Sequence, residues 1–130
     1  MLAIKEALNR GYKYIDIYGA LGGRFDHTFG NIQSLAYISS KGGVGRIITD
    51  REVISILNPC EFTVEYREGF SLSLFAYSDV VENYCVNGTK YETKTNILNT
   101  FPLGISNEIL GEKATISFTK GRLLMIMSKL

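Results

Sequence analysis

Histidine and cysteine are scarce in this chain of 130 residues, which holds one histidine, His27, and two cysteines, Cys60 and Cys85. With so few, and with no CxxC spacing, a disulfide framework and a Cys/His zinc site are both excluded. The two cysteines read as small buried hydrophobes. Long apolar runs are also missing. The longest, around Leu123 to Met127, is far too short to cross a bilayer. Charge of one sign is not in excess, since the formal net charge is +1. Neither nucleic acid nor an anionic membrane is therefore expected as a partner. The opening Met1-Leu2-Ala3-Ile4-Lys5-Glu6 lacks the charged-then-apolar layout of a secretion signal, so a cytoplasmic location is expected.

What is present has the balance of a globular protein, with 45% hydrophobic and 21% charged residues. Residues 2–8 are good helix formers, and Gly11 stands where a C-terminal cap belongs. Tyr14 to Tyr18 reads as a short strand with Ile15 and Ile17 on one face. A glycine-rich turn, Gly19 to Gly23, leads into a helix over 26–40, with Asp26 as its N-cap and Phe29, Ile32, Leu35 and Ala36 on one side. Lys41 to Gly45 breaks that helix, and Arg46 to Thr49 is a second strand. This order predicts a partial parallel α/β, Rossmann-like unit over residues 1–51.

Beyond Arg51 the period changes. Runs at 53–57, 62–66, 71–77, 80–86, 114–118 and 123–127 are short and β-type. Asn58-Pro59, Glu68-Gly69, Asn87-Gly88 and Lys120-Gly121 punctuate them. Residues 52–130 are thus predicted to form an antiparallel β-sandwich or partly open barrel. The fold class is α/β followed by all-β.

The segment best suited to chemistry lies between the first strand and the second helix. Gly22 and Gly23 allow close backbone approach to a phosphate, and the helix that follows offers free N–H groups. Arg24 adds a planar donor fork, and Asp26 a hard oxygen ligand for Mg²⁺. His27 is within reach of the same ligand. The pattern is neither a Walker A loop nor GxGxxG. The same residues also suit a turn, a cap and a surface charge.

The run Leu21-Gly22-Gly23-Arg24-Phe25-Asp26-His27-Thr28, continuing to Asn31, resembles the signature of thiamine pyrophosphokinases. Asn87-Gly88-Thr89-Lys90-Tyr91 resembles the family's Gly-x-Lys-aromatic element, and Gly104-Ile105-Ser106-Asn107-Glu108 its Gly-x-Ser-Asn element. The resemblance runs from about Ala3 to Met127. It implies pyrophosphoryl transfer from Mg·ATP to the hydroxyethyl oxygen of thiamine, with release of AMP. Asp26 would match a metal-binding catalytic carboxylate. Arg24, with Gly22, Gly23 and His27, would match the phosphate-holding set. Tyr91, Ser106 and Asn107 would match thiamine contacts, with Tyr91 stacked on a ring of the cationic ligand. The resemblance also implies a homodimer whose β domain, residues 52–130, carries the two-fold contact, and a thiamine site shared between subunits.

The family's Gly-Asp-x-Asp-Ser segment and Thr-Asp element are not among these residues. The expectation is therefore a truncated chain whose remaining metal ligands lie upstream of Met1. The competing expectation is a β-sandwich module that binds or assembles without chemistry.

Overall fold

The computed structural model describes residues 1–19 and 24–130. The chain divides into two compact units, Met1–Ile56 and Leu57–Leu130. Among the described residues, no helix is long and apolar enough to cross a membrane.

In the first unit, α1 (Leu2–Asn9) buries Ile4, and its C-cap Arg10 is followed by Gly11, whose φ is +86°. Gly11 N–H donates to Leu8 and Tyr12 N–H to Ala7, which satisfies two carbonyls left over at the helix end. Strand β1 (Tyr14–Tyr18) turns Ile15 and Ile17 inward, while Tyr14, Asp16 and Tyr18 are exposed. Helix α2 (Phe25–Ser40) buries Leu35, Ile38 and Ser39. Strand β2 (Val44–Ile48) runs parallel to β1 from Tyr14↔Val44 to Tyr18↔Ile48, so α2 is the crossover of a parallel pair. Strand β3 (Glu52–Leu57) then pairs antiparallel with β2.

Gly45 shows why this packing needs glycine. A Cβ there would sit 2.7 Å from Ile38 Cδ1 and 3.0 Å from Leu35 Cδ2. Its absence lets the apolar stripe of α2 settle directly on β2.

The second unit is antiparallel throughout. Its strands are β4 (Cys60–Glu65), β5 (Phe70–Ala76), β6 (Val80–Asn87), β7 (Thr93–Leu98), β8 (Gly104–Asn107), β9 (Lys113–Phe118) and β10 (Leu123–Lys129). One layer has the order β4-β9-β6-β7, and in the other β5 lies between β10 and β8. Val81, Tyr84, Val86, Ile116 and Phe118 from the first layer meet Leu72, Leu74, Ala76 and Leu123 from the second in one core. This is a sandwich rather than a barrel. Each fully buried Leu or Ile in it contributes about 1.5–3 kcal/mol.

Three expectations need correction. Arg24, not Asp26, is the N-cap residue of α2, and Asp26 falls in the first turn. Its carboxylate is shared between the Arg24 guanidinium and the His27 N–H. Phe29, expected on the buried side of that helix, is exposed. The cysteines are not buried either: Cys60 is exposed and Cys85 is half-buried.

Candidate active site

The side chains singled out in the sequence fall into two groups, one in each unit. In the first unit, Arg24 follows β1 and has an extended backbone (φ −75°, ψ 140°). Its Nε donates to Asp26 Oδ1 at 3.1 Å and its terminal nitrogen to Asp26 Oδ2 at 2.6 Å. The backbone N–H of His27 also donates to Asp26 Oδ1, at 2.9 Å. The Arg24 hydrogen bonds are the main reason the Asp26 carboxyl lies below its ordinary pKa, and Asp26 in turn raises that of Arg24. All three residues are exposed. The structure thus brings Arg24, Asp26 and His27 together at the start of α2. Gly22 and Gly23 lie outside the described residues.

This cluster can hold an anion. The guanidinium fork can exchange its carboxylate partner for phosphate oxygens. A cation site is less well provided for. Among the described residues, no three His, Cys, Asp or Glu side chains gather in a metal-holding group. Asp26 offers one carboxylate, and Arg24 already engages both its oxygens. These residues do not make a Mg²⁺ site by themselves.

In the second unit, Tyr91 presents an exposed ring. Its backbone is clamped by the buried side chain of Asn107. Asn107 Oδ1 accepts from Tyr91 N–H at 3.1 Å and from Glu108 N–H at 2.9 Å, and Nδ2 donates to the Tyr91 carbonyl at 2.8 Å. Thr89 Oγ1 donates to the same carbonyl at 3.0 Å. Lys90 N–H donates to the Glu108 carbonyl and Leu110 N–H to the Gly88 carbonyl, so residues 88–91 form a short ladder with 107–110. Asn107 therefore positions Tyr91 through hydrogen bonds that burial protects from water.

Ser106 is exposed at φ +54°, a backbone conformation uncommon outside glycine. Its N–H donates to Ser73 Oγ at 2.9 Å, across a register shift between β5 and β8. Two further residues stand beside this group, Ser73 and Lys90. The Lys90 ammonium lies 5.5 Å from the centre of the Tyr91 ring. The signal for Lys90 was its place beside Tyr91 in the Gly-x-Lys-aromatic element. Ser73 lay hidden in an alternating strand pattern.

No protein-family profile matches the chain. Thiamine pyrophosphokinase of Bacillus subtilis (strain 168) is 35% identical over 130 residues, which are 98% of this chain and 60% of the relative. The crystal structure of the Bacillus subtilis enzyme superposes with a TM-score of 0.92 at 34% identity, covering 98% of this chain and 61% of that one. The thiamin pyrophosphokinase of Geobacillus thermodenitrificans gives a TM-score of 0.87 at 30% identity, covering 99% and 60%. The yeast enzyme, at 20% identity and a TM-score of 0.74, shares the fold. Over nearly all of its own length the chain is thus similar to thiamine pyrophosphokinase, and it spans 60% of the curated relative's length.

Proposed function

We propose that this chain supplies the thiamine-holding part, and a share of the phosphate-holding part, of a thiamine pyrophosphokinase. The observation that carries the reading is the 35% identity with the Bacillus subtilis enzyme over 98% of the chain. In the reaction, the thiamine hydroxyethyl oxygen forms a bond to the β-phosphorus of ATP. The bond between that phosphorus and the oxygen of the α-phosphate breaks, AMP leaves, and the hydroxyl proton is lost to solvent.

Arg24 holds phosphate oxygens as negative charge shifts toward AMP, and such positioning and charge neutralisation supply most of the catalysis in phosphoryl transfer. Asp26 is ionised at neutral pH and orients Arg24. Mg²⁺ is the metal that the family's chemistry implies. Asp26 alone does not make its site. Tyr91 stacks on a thiamine ring, Ser106 contributes a hydroxyl, and Asn107 acts by positioning Tyr91.

In this reading β1, α2 and β2 are part of a Rossmann-like ATP-binding domain covering residues 1–51, and residues 52–130 bind thiamine in a cytoplasmic homodimer. Phe101, Leu103 and Ile105 are exposed hydrophobics suited to that two-fold contact. A solution mass of one chain by light scattering would contradict the dimer. The reading of a non-catalytic binding module has no observation in its favour.

The site assignments are tested in a chimera that joins this chain to the part of the Bacillus subtilis relative it does not match. Asp26→Asn and Arg24→Lys are each expected to lower turnover at least about a hundredfold without unfolding the protein, as loss of a transition-state contact does. Near-wild-type rates in both variants would place the cluster outside the site.

A further inference from the structure

A cleft of about 330 Å³ lies where the C-terminal ends of α1 and α2 meet, and it takes no part in the site above. Lys5, Lys13, Lys41, Tyr12 and Tyr37 are among its walls, and no carboxylate lines it. None of the three lysines takes part in the ion pairs Arg10–Glu6, Arg24–Asp26, Arg46–Asp16 and Lys120–Glu82 of the described residues.

Cations often gather at helix C-termini, where the peptide dipoles leave partial negative charge. That accounts for Lys41, the C-cap residue of α2. It does not account for Lys5, which stands in the middle of α1. The cleft also has fixed walls. The Lys13 carbonyl accepts from Val44 N–H at 2.7 Å, which pins the Lys13 backbone to the start of β2. A Cβ on Gly42 would lie 3.9 Å from Lys13 Nζ, so this ammonium hangs over the last turn of α2. Lys41 Nζ is 5.6 Å from the centre of the Tyr37 ring. Three lysines from separate parts of the chain thus line one cleft beside two tyrosine rings and no carboxylate, so an anion there would meet cationic donors without a competing negative charge.

We propose that this cleft is a second anion site, which takes a phosphate group from inorganic pyrophosphate or a small nucleotide. It is separate from the Arg24–Asp26 cluster, because it lies at the N-terminal end of β1 whereas Arg24 follows the C-terminal end. The lysines meet the phosphate oxygens, and the tyrosine rings flank them.

The test is a titration of the 130-residue chain at low ionic strength with sodium pyrophosphate and, separately, with AMP, followed by backbone amide and tyrosine ring resonances. Amide shifts are expected at residues 11–13 and 41–43. Their appearance with pyrophosphate alone assigns the site to the inorganic anion, and added shifts of the Tyr12 and Tyr37 rings with AMP assign it to a nucleotide. The double variant Lys13→Gln, Lys41→Gln should bind about tenfold more weakly or worse, and Lys94→Gln on β7 should bind as wild type. Should the double variant fail to fold, Lys5→Gln and the location of the wild-type shifts decide. Shifts scattered over surface lysines or centred on Arg24, or undiminished binding in the variants, would overturn the proposal.

Discussion

The side chain of Asn107 reads the backbone of Tyr91 as a second strand would, accepting its N–H at 3.1 Å and donating to its carbonyl at 2.8 Å. Asn107 is buried and Tyr91 is exposed, so the cost of losing each should differ sharply. Asn107→Ala is expected to lower the unfolding free energy by about 2 kcal/mol, because it leaves backbone groups without partners. Tyr91→Ala should stay within about 0.5 kcal/mol of wild type. Urea unfolding of both variants checks this, and the reverse order would show that Asn107 is not the brace.

Gly88 and Gly111 both have positive φ, at +83° and +76°. A Cβ on Gly88 would meet the Lys113 carbonyl oxygen at 2.5 Å, whereas one on Gly111 would meet nothing within 4 Å. Gly111→Ala should cost about 1 kcal/mol from the backbone alone. Gly88→Ala should cost clearly more and disturb the ladder that carries Tyr91. Equal melting temperatures for the two variants would contradict this.

Asp16 and Arg46 face one another across the parallel pair β1/β2, joined by two hydrogen bonds of 3.0 and 2.9 Å. The Arg46 hydrogen bonds hold the Asp16 carboxyl below its ordinary value of 3.8. A depressed folded pKa means that the stabilisation is complete above the ordinary value and is lost as pH falls through the lowered one. The pair is partly exposed, so its contribution is about 0.5 kcal/mol. Asp16→Asn should therefore lower stability by that amount at neutral pH, and the difference should vanish in strong acid. A difference that grows as pH falls would contradict the pairing.

Much of this fold was legible because its periodicities are clean. Ile15 and Ile17 alternate with polar residues in β1, as do Leu72 and Leu74 in β5, and each strand appeared where the pattern placed it. Strands β7 and β8 were not read. In β7 only Ile97 is buried, because the strand lies at a sheet edge and its other side chains face water. In β8, Gly104, Ser106 and Asn107 look like turn residues, and Ser106 does adopt the left-handed conformation that turns use. The pairing of Asp26 with Arg24 was hidden for another reason. Two residues apart on a strand-to-helix junction, they show no spacing that separates a cap from an ion pair. The clamp of Asn107 on Tyr91 joins positions 16 residues apart, and only the folded ladder brings them together.

Thiamine-dependent release of AMP from Mg·ATP tests the central claim most directly. Sustained release, with thiamine diphosphate formed in equal amount, is expected when the chain is joined to the unmatched part of the Bacillus subtilis relative. Little or none is expected from the 130 residues alone. Release that ignores thiamine, or none from a folded chimera, would contradict the assignment.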